Sequence, residues 1–171
     1  MAVEQRPYEV ISSQGNIELR YYSVIDAAEV IVSGSRRSAA NRAFRLLFKY
    51  ISGENEFNQK ISMTAPVAQV ATGENSWKVS FFMPQGLLGT TLPKAMDDVI
   101  KVNRHSAVKV ASIQFSGLGR QDNLDKHEKQ LKEHLAKSKL KYDTKPIYAF
   151  YNPPYVPWFL RRNEVMFVLI D

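Results

Sequence analysis

The side chains able to do chemistry are few, and their spacing argues against most reactions. Three histidines are present. His127 and His134 lie seven residues apart in a stretch with helical patterning, so they point roughly the same way but stand about 10 Å apart along the axis at about 1.5 Å per residue. That is too far for one metal ion. His105, beside Arg104 near the start of a strand, reads like the other two as a boundary or solvated residue. Asp97 and Asp98 follow one another directly. Adjacent carboxylates rarely converge on one bond as acid and base, so the pair reads as a surface turn. There is no cysteine, which removes disulfides, thiolate metal sites and cysteine nucleophiles together. No G-x-S-x-G elbow, P-loop, G-x-G-x-x-G or H-E-x-x-H occurs. The chain is expected not to be an enzyme and to bind no metal ion directly.

One constellation is more suggestive. Phe44 and Phe48 are one helical turn apart, Leu47 neighbours both, and Arg42, Arg45 and Lys49 border them. An apolar stripe with cationic edges suits a flat apolar ligand bearing anionic groups. An ordinary amphipathic helix with solvated cations has the same pattern.

The helix holding these residues is expected over 38–52, with Ser38 as N-cap, Ala40, Phe44, Leu47, Phe48 and Ile51 at helical spacing, and Gly53 in the left-handed position after its end. A second is expected from Asp122 or Asn123 to residue 140, its stripe set by Leu124, Leu131 and Leu135. Strands are expected at 7–10 and 17–22 around a turn at 12–16, and at 27–32, 77–82, 99–102, 107–115, 148–151 and 165–170. The string KISMTAPV at 60–67 reads as a further strand, entering on Ile61 and Met63 and stopped by Pro66, which has no N–H to give a neighbour. The approach of RRNEV (161–165) to the last strand looks like its counterpart. The order, strands–helix–strand and then strands–helix–strands, argues for α+β with a mainly antiparallel sheet or barrel and helices outside. The expected organisation is one domain, 1–171, with pseudo-repeats at about 7–70 and 77–171.

With 171 residues, 44% hydrophobic composition, nine Phe, eight Tyr and two Trp, the chain can bury a real core. No apolar run approaches the ~20 residues that span a bilayer. Residues 1–7 contain no apolar signal core, so a soluble, cytoplasmic monomer is expected, although an exported chain with its signal removed would look the same. The net charge of +6 favours solubility and anionic ligands. Without a long basic run, zinc finger or aromatic RNA-binding signature, nucleic acid is not expected as a partner.

The strings PYEV (7–10), IELRYY (17–22), YISGEN (50–55), KISMTAPV (60–67) and NPP (152–154) through RRNEV (161–165) together resemble the SOUL haem-binding protein family, nearly end to end and in order. The resemblance implies a distorted antiparallel eight-stranded β-barrel of two pseudo-symmetric halves flanked by two α-helices. It also implies non-covalent binding of haem or another porphyrin in an exposed apolar groove beside the first helix, with basic side chains at the propionates. A family propionate contact near the end of that helix corresponds to Lys49. Phe44 and Phe48 stand at groove positions. An arginine of the family falls on Asn41, next to Arg42, and a lysine of the last loop falls near Val156. Where some relatives carry an axial histidine in the second strand, this chain has Tyr21; tyrosine can ligate ferric haem. The resemblance therefore implies a reversible tetrapyrrole carrier or buffer. The alternative is a regulatory or interaction module that binds a protein partner or another amphipathic molecule, to which the missing basic contact and histidine point.

Overall fold

The computed structural model describes residues 3–171. Its elements are β1 (Glu4–Gln5), β2 (Glu9–Gln14), β3 (Ile17–Tyr22), β4 (Ile25–Ser33), α1 (Arg36–Ile51), β5 (Thr64–Ala65), β6 (Val67–Gly73), β7 (Ser76–Phe82), β8 (Lys101–His105), β9 (Val108–Phe115), α2 (Gln121–Lys137), β10 (Ile147–Phe150) and β11 (Asn163–Val168). The class is α+β, and among the described residues the strand pairs within each unit are antiparallel except the two-residue pair β1–β5. The chain divides into two compact units, one formed by residues 3–6 and Val24–Ser106, the other by Pro7–Ser23 and Ala107–Asp171.

In the first unit the strand order is β6-β7-β4-β8, and α1 packs on β4 and β7. The helix forms because Ala39, Ala43, Leu47, Tyr50 and Ile51 fall on one face. They bury against Ala28, Val30, Val79 and Phe81 in one apolar cluster. Ser35, not the expected Ser38, is the N-cap: its hydroxyl accepts a hydrogen bond from the Ser38 N–H at 3.3 Å. Gly53 follows the helix with φ of +116°, a conformation that favours glycine.

The expected strand at 60–67 is corrected. Residues 60–63 are not extended against any neighbour. The Ile61 N–H turns back to the Ile51 carbonyl at 2.8 Å, closing the helix end, and the Ile61 side chain joins the core. Pairing begins only at Thr64, whose hydroxyl donates to the Phe82 carbonyl at 2.6 Å. Pro66 separates β5 from β6, and β6 runs antiparallel to β7. The topological counterpart of β11 is therefore β7, not the 60–67 segment. The 60–67 strand shrinks to β5, and with β1 and β6 added the nine expected segments become eleven strands among the described residues, against the eight of the implied barrel.

In the second unit the order is β2-β3-β9-β11-β10, and α2 packs on β9 and β11 through Leu124, Leu131 and Leu135. Strand β2 runs on through Ser12–Gln14 past a register shift, so the turn shortens to Gly15 and Asn16. Helix α2 begins at Gln121; Asn123, expected near its start, instead donates from its amide to the Ser116 and Leu118 carbonyls. Both units repeat one connection: a long strand enters a helix, the helix returns to a shorter strand, and the next strand pairs with both (β4–α1–β6–β7 and β9–α2–β10–β11).

Each unit buries a carboxylate. Glu164 pairs with the buried Arg20 at 2.5 Å, accepts from the Ser112 hydroxyl at 3.0 Å and meets Arg162 at 3.3 Å. Burial opposes the charge on Arg20, but the hydrogen bond to Glu164, that carboxylate's charge and the bond to Glu18 raise its pKa above the ordinary value. The Tyr151 hydroxyl beside this cluster is raised too, first by burial and then by the Glu164 charge.

Candidate functional site on the outer face of helix α1

Helix α1 holds six of the seven candidate residues, and the 100° step of the helix separates them. Leu47 is wholly buried in the core. Phe44 and Phe48 lie beyond the edge of that interface, 43% and 49% exposed. Their rings stack at 5.9 Å with 12° between planes, and Phe44 meets the buried Phe81 edge-on at 5.3 Å. The result is a small aromatic plate, anchored from below and open above.

The cations distribute around it. The Arg42 guanidinium is turned back to the Ser33 carbonyl. Arg45 donates weakly to the Asn41 carbonyl, at 3.4 Å, and stays exposed next to the plate. Arg37 was missed by the sequence reading; it is exposed and precedes Phe44 by seven residues, hence on the same face. The heptad spacing from Arg37 to Phe44 was the available signal.

Lys49 faces a different surface. It lines an open groove of about 460 Å³ with Leu46, Tyr50, Glu54, Met96, Asp97, Asp98 and Ile100. Leu46 and Phe48 are two residues apart, about 200° around the helix, so groove and plate lie on opposite flanks. One lysine against three carboxylates makes the groove unfavourable for an organic diacid. The groove wall is firm: the buried Tyr50 hydroxyl donates to the Pro93 carbonyl at 2.7 Å, and burial followed by the Glu56 charge pushes its pKa up to about 12. Asn55 ties down the loop after the helix, its amide donating to the Tyr50 and Gln59 carbonyls at 2.8 Å.

No histidine shares the plate. His105 binds Glu29 at 3.0 Å, and Glu29 also accepts from Ser80 at 2.5 Å and Asn103 at 3.0 Å. Strand alternation places Glu29 and Ser80 on the sheet face away from α1, because Ala28, Val30, Val79 and Phe81 face the helix. Burial disfavours the Glu29 carboxylate, but the three hydrogen bonds outweigh it and hold the pKa at about 2. His127 stacks on Phe115 at 3.8 Å in the second unit. Tyr21 also belongs there, half-buried on β3 opposite Glu9 and Lys109. Among the described residues no group of three or more His, Cys, Asp or Glu could hold a metal ion, and no helix is long and apolar enough to cross a membrane.

The α+β fold thus carries an exposed aromatic plate on helix α1. The family model described as SOUL heme-binding protein matches residues 3–168, and the chain belongs to that family. It is similar to Heme-binding protein 1 of Mus musculus, 26% identical over 183 residues that cover 98% of this chain and 93% of the relative. The Xenopus tropicalis protein of the same name is 28% identical over 136 residues, 76% of this chain and 70% of the relative. Among solved structures, the fold matches the EcmrR C-terminal domain with TM-score 0.66 at 10% identity, covering 96% of this chain and 98% of that one. A protein described as a hydrolase from Listeria innocua matches with TM-score 0.62 at 7% identity, covering 94% of each. At such identities these two likenesses concern the fold alone.

Proposed function

We propose that this protein binds haem or another tetrapyrrole non-covalently and reversibly, as a carrier or buffer, on the outer face of α1. The observation that carries the reading is the Phe44/Phe48 plate, two parallel, half-exposed rings on a helix otherwise packed through its apolar face. A macrocycle laid over them removes apolar surface from water, contributing on the order of 2–3 kcal/mol. Arg45 and Arg37 flank the plate for propionate carboxylates, and Arg42 can join them by leaving the Ser33 carbonyl. Leu47 acts from beneath, by fixing the helix. Lys49 would meet a carboxylate only at the far edge, across the helix from Phe44. The macrocycle's own Soret band, which shifts with its surroundings, would report binding. Tyr21 lies on β3 of the other unit. The test is titration of the purified protein with hemin: a saturable Soret change is expected, weakened by Phe48→Ala. An unchanged titration in Phe48→Ala and Phe44→Ala together would exclude the plate.

The acidic groove favours a second reading, an interaction module. Glu54, Asp97 and Asp98 beside the highly exposed Met96 suit a cationic, amphipathic partner segment. A hemin-silent protein that retains a basic peptide, and loses it in Asp97→Asn/Asp98→Asn, would select it.

A further inference from the structure

The loop between β10 and β11 displays four large apolar side chains that no part of the proposed site uses. Tyr155, Trp158, Phe159 and Leu160 are 86%, 59%, 58% and 64% exposed. They are held outward by backbone bonds. The Val156 N–H donates to the Pro153 carbonyl at 3.1 Å, and that of Leu160 to Pro157 at 2.9 Å. The Gly117 N–H donates to the Trp158 carbonyl at 2.9 Å. The Arg161 guanidinium donates to the Val156 and Pro154 carbonyls at 2.8 and 2.6 Å, bracing the loop from within. Trp158 and Phe159 meet edge-on at 5.5 Å. Beside Trp158 lies an open hollow of about 380 Å³, lined by Leu118, Arg120, Asp122, Asn123 and Lys126.

Two features identify the partner. Trp158–Leu160 form a single 3₁₀ turn, so their side chains radiate about 120° apart. A radiating tip offers no common face to a folded protein, whereas the fluid boundary between lipid headgroups and acyl chains closes around any shape. Trp and Tyr are the residues that favour that boundary. The hollow beside Trp158 is cationic: Arg120 and Lys126 stand against one acid, Asp122, on a chain of net charge +6. We infer that this loop anchors the protein on an anionic bilayer surface, with Tyr155, Trp158, Phe159 and Leu160 in the headgroup boundary and Arg120 and Lys126 on lipid phosphates. The anchor would deliver an amphipathic ligand carrier to the surface where such ligands partition.

Sedimentation with phosphatidylcholine vesicles containing about one-third phosphatidylserine tests this. The full chain is expected to co-sediment, less so as salt rises, and to ignore pure phosphatidylcholine. Trp158→Ala/Phe159→Ala should lower binding by about tenfold or more, with an unchanged melting profile. Brominated acyl chains should quench the wild-type tryptophan emission, and Trp158→Phe should abolish that quenching while Trp77 still emits. No sedimentation with the anionic vesicles, equal binding by the double variant, or quenching that survives in Trp158→Phe would each overturn the anchor. Equal binding to neutral vesicles would overturn its anionic preference.

Discussion

Phe44, Leu47 and Phe48 sit within one and a half turns of α1, yet water reaches only the two phenylalanines. The helix rests on its sheet along the Ala39–Ala43–Leu47–Tyr50 line, and the phenyl rings project just past the edge of that contact. The three substitutions should therefore separate. Leu47→Ala opens a cavity in the core and should destabilise the fold by about 2–5 kcal/mol in urea denaturation, with hemin affinity of the folded fraction little changed. Phe48→Ala should leave stability within about 1 kcal/mol and weaken hemin binding about tenfold in absorbance titration. Arg45→Glu should weaken it further than Lys49→Ala, since Lys49 faces three carboxylates across the helix. The sequence displayed all these side chains as one stripe with cationic edges; the orientation of the helix on the sheet divided them.

At the scale of elements, β4 separates the two chemistries of the first unit by alternation. Ala28 and Val30 face α1, and Glu29 faces the opposite side with His105, Ser80 and Asn103, with the Lys78 ammonium at 3.9 Å. The Glu29 pKa falls from 4.5 to about 2 on folding, against the pull of burial. A carboxylate depressed in this way stabilises the fold above its unfolded pKa and loses that contribution as pH drops from about 4.5 toward 2. The contribution is of order 1–3 kcal/mol. Melting temperature measured across that window should fall steeply in the wild type, and less so in Glu29→Gln. Most strands and both helices were legible because their periodicity survives in the sequence. The segment misread was one where a tertiary bond overrides the local signal, Ile61 returning to the helix end; β6, paired with β7, was missed beyond Pro66.

For the molecule as a whole, the family strings prove to be scaffold. RRNEV contributes Glu164 to the buried pair with Arg20 of IELRYY, and Asn163 donates from its amide to the Gly117 carbonyl at 2.8 Å. KISMTAPV closes the end of α1 and pins Phe82. Arg20→Ala would leave the buried Glu164 with Arg162 as its remaining cation, and should destabilise by about 3–5 kcal/mol. Hydrogen exchange should accelerate in Pro7–Ser23 and Ala107–Asp171 more than in Val24–Ser106. Uniform acceleration would show that the two units open as one. That residues 7–23 join 107–171 was not readable from the chain, because β3 pairs with β9 across some ninety residues.

By itself the sequence determined the α+β class, the family and the two amphipathic helices, since each follows from local pattern or ordered motifs. Only the tertiary structure decided which stripe residues meet water, that Lys49 belongs to an acidic groove rather than to the aromatic plate, and that Trp158–Leu160 point outward. Those outcomes depend on how a helix is rotated on its sheet and on which backbone carbonyl an arginine reaches, and neither is encoded in spacing along the chain.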